Sequence, residues 1–184
     1  MANLASNYSR QGRWKEAEEL NMQVVELRKR VLVEEHPDTL TTMSNLASNY
    51  WCQGRWKEAE ELNMQVLEAR KRVLGEEHPD TLTSIANLAS TYRDQGRWKG
   101  AEELQVQVME TRKRVLREKH PDTLASMDNL AFILKRQSRD VEAFSLMEAC
   151  TQLRKQVLGD QHPRTKSSLR TLTEWQVRNV EIDP

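Results

Sequence analysis

Between Leu40 and Tyr50 the apolar positions are Leu40, Met43, Leu46, Ala47 and Tyr50, separated by polar residues. Steps of three and four residues place all five on one face of an α-helix. A second stripe, Ala59, Leu62, Val66, Ala69 and Val73, follows the same spacing, with Met64 and Leu67 widening it. It predicts a second helix from about Trp56 to Leu74. Gly54 stands between the two, where a left-handed helix end suits a residue without a Cβ. Glu58, Glu60 and Glu61 fall in the first turns of the second helix and Arg70, Lys71 and Arg72 in its last turn, which complements the macrodipole at both ends.

This two-helix pattern recurs. His36, His78, His120 and His162 are each 42 residues apart, in the phrases EEHPDTL, EEHPDTL, EKHPDTL and DQHPRTK. Blocks 39–80 and 81–122 share 29 of 42 positions. A fixed period of this length signals stacked helical units, because one helix pair cannot bury its apolar face alone. The expected organisation is a single array over 1–184: a truncated first repeat (1–38), repeats 39–80 and 81–122, a divergent repeat 123–164, and a C-terminal capping helix within 165–184. In that last helix Leu169, Leu172 and Trp175 are expected to face inward, so that removing 165–184 would expose apolar surface.

The letters within the period identify the type of repeat. NLASNYWCQGRWKEAEEL, from Asn45 to Leu62, resembles the tetratricopeptide signature: Leu46 and Ala47 match its Leu-small pair, Tyr50 its aromatic, Gly54 its turn glycine and Ala59 its second small residue. The period exceeds the usual ~34 by about two helical turns. Long repeats ending in LGxxHPDT are similar to those of the kinesin light chain subfamily. The resemblance implies an all-α, right-handed superhelical solenoid of antiparallel helix pairs, with a concave groove lined by the first helix of each repeat. The block Glu142–Gln176 further resembles the terminal repeat of fungal arrays carried behind a nucleotide-binding switch domain of the NB-ARC or STAND type. Such a domain in the same full-length chain is therefore one implied partner, although this sequence contains no GxxxxGK[ST] loop.

Charge narrows the partners. Lys plus Arg and Asp plus Glu both number 28, so the chain has no net field to attract nucleic acid or an anionic membrane. The RKRVL runs follow acidic residues and read as helix ends. No apolar run approaches the ~18–20 residues that span a bilayer. Cys52 and Cys150 have no metal-type or CxxC spacing, which fits a reducing, cytoplasmic setting. GxSxG, HExxH and phosphate-loop motifs are absent, so neither an enzyme nor a cofactor is expected.

The remaining candidates are positional. The histidines precede proline at helix starts and read as structural. Trp14, Trp56 and Trp98 read as inter-helix packing. The adjacent glutamates Glu18–Glu19, Glu60–Glu61 and Glu102–Glu103 read as solvated faces. Asn3, Asn45, Asn87 and Asn129 share one position in the first helices. By resemblance, Asn45, Asn87 and Asn129 face an extended peptide or protein ligand, since an amide can both donate to and accept from a peptide bond. The alternative, that they bridge neighbouring repeats, stands equally open. The neighbouring groove positions would be Ser44, Ser48, Trp51 and Cys52; then Ala86, Ser90, Arg93 and Asp94; then Asp128, Phe132, Lys135 and Arg136. The expected function is protein–protein recognition, with a switch-protein sensor array or a kinesin light chain-like cargo adaptor as alternatives.

Overall fold

A computed structural model describes residues 2–180. They form the helices α1 (Ala2–Arg10), α2 (Trp14–Val31), α3 (Pro37–Cys52), α4 (Trp56–Leu74), α5 (Pro79–Asp94), α6 (Trp98–Leu116), α7 (Pro121–Arg136), α8 (Asp140–Leu158) and α9 (Pro163–Val180). The chain divides into two compact units, residues 1–97 and 98–184. In the first unit α1 packs on α2, α2 on α3, α3 on α4 and α4 on α5; in the second α6 packs on α7, α7 on α8 and α8 on α9.

Helix boundaries follow from local chemistry. Each of α3, α5, α7 and α9 begins at the proline of the HP phrase, and the preceding histidine caps it. Nδ1 of His36, His78 and His120 accepts the backbone N–H of Asp38, Asp80 and Asp122 at 3.1, 3.1 and 3.2 Å, and His162 does the same for Arg164 at 3.2 Å. The first helices end in a left-handed turn. In the first unit the glycine there is Gly54 (φ 74°) or Gly96 (φ 77°), and the next arginine's N–H reaches back five residues, Arg55 to Tyr50 at 2.9 Å and Arg97 to Tyr92 at 2.8 Å. This is a Schellman end. The same arginines lay their guanidinium groups over those tyrosine rings, 4.3 and 3.7 Å from the centroids.

The core matches the first stripe closely and the second only in part. Leu40, Met43, Leu46 and Ala47 are buried, as are Ala59, Val66, Leu67 and Ala69. Val73 and Met64, expected inside, are exposed, whereas Asn63 and Arg70 are buried in their stead. Arg70 opens an RKRVL run and is only 6 % exposed. It crosses to the next first helix, donating to the Asp80 carbonyl at 3.1 Å and to Ser84 Oγ at 2.9 Å. Arg28 grips Asp38 and Thr42 in the same way, and in the second unit Arg112 grips Asp122 and Ser126. Burial lowers the Arg70 and Arg112 guanidinium pKa, with Asp80 and Asp122 opposing it. The run therefore joins repeats through its first residue as well as ending a helix.

The glutamate pairs also differ from expectation. Glu18, Glu60 and Glu102 are half-buried rather than solvated. Each accepts two bonds from the following repeat: Gln53 (2.7 Å) and Arg55 (2.8 Å) on Glu18, Gln95 (2.8 Å) and Arg97 (2.6 Å) on Glu60, Gln137 (2.8 Å) and Arg139 (2.5 Å) on Glu102. Trp56, expected as a packing anchor, is 40 % exposed. The phrase GRWKEAEEL at 54–62 thus works as a clasp: Arg55 stacks on Tyr50 of its own repeat and bonds Glu18 of the repeat before.

Candidate functional site

Because Leu40, Met43, Leu46 and Ala47 bury one side of α3, the other side of that helix presents Asn45, Ser48, Trp51 and Cys52. The equivalent residues of α5 are Asn87, Ser90, Arg93 and Asp94. Ser48 and Ser90 direct their hydroxyl hydrogens back to the Ser44 and Ala86 carbonyls, at 3.0 Å each. The amides of Asn45 and Asn87, and of Asn129 in the second unit, bond to no described residue.

Two cavities indent this face of the first unit. One, of about 130 Å³, lies among α1, α2 and α3 beside Asn45 and Ser48. The other, of about 290 Å³, lies among α3, α4 and α5, between Trp51 and Cys52 on one side and Asn87, Ser90 and Arg93 on the other. Its rim is cross-linked: the Trp51 indole N–H donates to Asp94 at 2.6 Å, and Arg93 donates to the same carboxylate at 2.8 and 3.1 Å. Residues 45–52 read NLASNYWC and 87–94 NLASTYRD, and two of the letters that differ, Trp51 and Asp94, are in direct contact. Burial raises the Cys52 thiol, and burial, opposed by Arg154, pushes Cys150 up to about 11. Both thiols stay protonated near neutral pH, which leaves them poor nucleophiles.

The second unit presents a different surface at the equivalent positions of α7. Phe132 meets Trp175 of α9 edge-on, with ring centroids 5.4 Å apart. Lys135 lies 5.7 Å from the Trp175 ring and 3.0 Å from Asp140. Asp128 pairs with Arg154 at 3.1 Å, while Arg136 is exposed. Trp175 occupies the place that Asn49 and Thr91 hold in α3 and α5, so indole fills the α7–α9 notch. Of the expected site residues, Ser48, Trp51, Asn87, Ser90 and Arg93 line the larger cavity of the first unit and Asn45 and Ser48 the smaller, while Asn129, Lys135 and Arg136 lie along α7 of the second.

Sequence reasoning passed over Asn21, Asn49 and Asn63, all buried beneath this face. A signal for two of them exists: Asn21, Asn63 and Gln105 recur at the 42-residue period inside an otherwise apolar stripe. Among the described residues no group of three or more His, Cys, Asp or Glu could hold a metal ion. No described helix is long and apolar enough to cross a membrane.

Comparison with known proteins agrees with this architecture. Tetratricopeptide-repeat family models match residues 1–72, 81–122 and 123–164. A Podosopora anserina protein of nearly identical TPR-like repeats, provisionally assigned as a kinesin light chain, is 33% identical, with 98% of this chain and 85% of that one aligned. Its crystal structure superposes with a TM-score of 0.82, and that of a point variant of the same protein with 0.83. BtubC from P. vanneervenii shares the fold at 22% identity (TM-score 0.81, covering 94% of this chain and 68% of that one). No curated protein matches the sequence. The chain belongs to the tetratricopeptide-repeat family, and its fold is an all-α solenoid of paired antiparallel helices.

Proposed function

We propose that this array is a protein-interaction module that holds an extended peptide segment against its first helices. The observation that carries the reading is the state of Asn45, Asn87 and Asn129. All three amides recur in register and none is spent on a bond within the described residues, whereas the buried arginines and half-buried glutamates at other periodic positions are. Each free amide can donate to a peptide carbonyl and accept a peptide N–H. Trp51 and Arg93 flank the larger cavity and would select side chains; Ser48 and Ser90 retain acceptor lone pairs. Arg136, exposed two turns along α7 from Asn129, would add positive charge.

A displayed library of random peptides, selected on the wild-type protein, supplies ligands for the test. The triple replacement of Asn45, Asn87 and Asn129 by Ala should leave the melting temperature nearly unchanged and weaken the selected peptides at least about tenfold, since each lost bond is worth roughly 0.5–1.5 kcal/mol. A triple variant that melts early yet binds normally would return these amides to a structural role. The same groove would serve a sensor array in an NB-ARC/STAND switch protein or a kinesin light chain-like cargo adaptor. The repeat type of the Podosopora relative favours the adaptor among these contexts.

A further inference from the structure

The two cavities of the first unit differ in how the buried residue at one equivalent position, Thr91 in the larger and Asn49 in the smaller, is bonded. In the larger one, Asn63 donates to Thr91 Oγ1 at 3.4 Å and Thr91 donates to the Asn87 carbonyl at 3.0 Å. In the smaller one Asn49 replaces Thr91. Its Oδ1 accepts from Ser9 Oγ at 2.8 Å, but its Nδ2 has no partner, although the residue is only 2 % exposed. Asn21, from α2, lines the same cavity and is equally buried, and its amide bonds to no described residue. A buried N–H without a protein acceptor carries its desolvation penalty unless the occupant of the cavity supplies the acceptor.

We infer that the cavity among α1, α2 and α3 is a subsite for a neutral carboxamide, the side chain of an asparagine or glutamine in a peptide lying along α3. The inference rests on the peptide-groove reading above. Three features select the group. The space, about 130 Å³, would hold about four waters at ~30 Å³ each, which is room enough for a terminal carboxamide. No charged side chain lines it; the walls are serines, asparagines, Trp14 and Cys52. A carboxylate or ammonium would enter without a counter-charge, and an apolar side chain would leave Asn49 unsatisfied. A carboxamide meets both needs, its oxygen accepting from Asn49 Nδ2 and its NH₂ donating to Asn21 Oδ1. Access is from the face carrying Asn45 and Ser48, where the peptide backbone would run.

Titration with acetamide, with acetate and methylammonium as charged counterparts, tests the site directly. The NMR signals of the Asn21 and Asn49 side-chain amides and the Trp14 indole should shift saturably with acetamide alone. Asn49→Thr copies Thr91 of the sister repeat and should abolish the shift while keeping the melting curve. If that variant melts early, Asn21→Met, which copies Met147, takes its place. No saturable acetamide shift, or an equal response to acetate, overturns the inference and leaves a water-filled cavity. A second arm uses an array of capped hexapeptides varied at one central position. Asn and Gln should exceed Asp and Glu by roughly tenfold, and Asn49→Thr should erase that preference without abolishing binding. Peptides that bind equally whatever the central residue would sink the subsite but spare the groove. Acetamide binding with no peptide binding would support the carboxamide site and overturn the groove.

Discussion

Ser138 stands where Gly12, Gly54 and Gly96 stand in the other copies, and it keeps their left-handed backbone at φ 60°. The Schellman bonds survive there too: Arg139 N–H reaches the Leu134 carbonyl at 3.1 Å. A side chain in this region costs roughly 1–2 kcal/mol, partly offset by the greater unfolded-state entropy of glycine. Ser138→Gly should therefore stabilise the protein by about 0.5–1 kcal/mol, seen as a higher urea midpoint. A lower midpoint would mean that the hydroxyl contributes more than the backbone loses. At this scale the sequence was readable, because a turn glycine reports its own φ. The buried state of Asn49 was not, since nothing local separates Asn49 from the exposed Asn45 four residues before it.

At the scale of elements, helix limits follow from the sequence almost residue for residue; α4 runs from Trp56 to Leu74, as the stripe and its end charges imply. What the helices do with their polar residues was harder to see. By sequence Glu60 reads as a solvated glutamate, yet it ties α4 to the Gln95–Arg97 turn. Burial alone would raise its carboxyl, but hydrogen bonds from Gln95 and Arg97 outweigh that and hold it below its ordinary 4.5. A depressed carboxyl stabilises the fold above its unfolded pKa, and that contribution is lost as pH falls through the folded value. Glu60→Gln should therefore be less stable than wild type at pH 7 by about 1 kcal/mol or less. The gap should close between roughly pH 5 and pH 3, as followed by chemical denaturation across that range. A gap that stays constant with pH would show the ionised clasp to be without effect on stability.

At the scale of the whole molecule, the second unit ends on α9, and Trp175 is its main anchor. It is 7 % exposed and packs on Leu130, Ala131, Leu134, Ala143 and Met147, with Leu172 half-buried beside it. Leu169, expected to share the inward face, is also only half-buried. Replacing Trp175 by Ala should cost about 3–5 kcal/mol, well above Leu169→Ala, and both this variant and removal of 165–184 should promote aggregation. Thermal melts and light scattering would check this, and a soluble truncation with an unchanged melt would show the cap to be dispensable. The amino-acid sequence alone determined the 42-residue period, the helix pairs, their ends and the face carrying Asn45, Asn87 and Asn129, because periodicity, capping and turn chemistry act within a few residues. Only the tertiary structure decided which polar groups are already spent. The Glu18–Arg55, Trp51–Asp94 and Ser9–Asn49 bonds join residues 37 to 43 positions apart, and whether such groups meet depends on how one helix pair is set against the next.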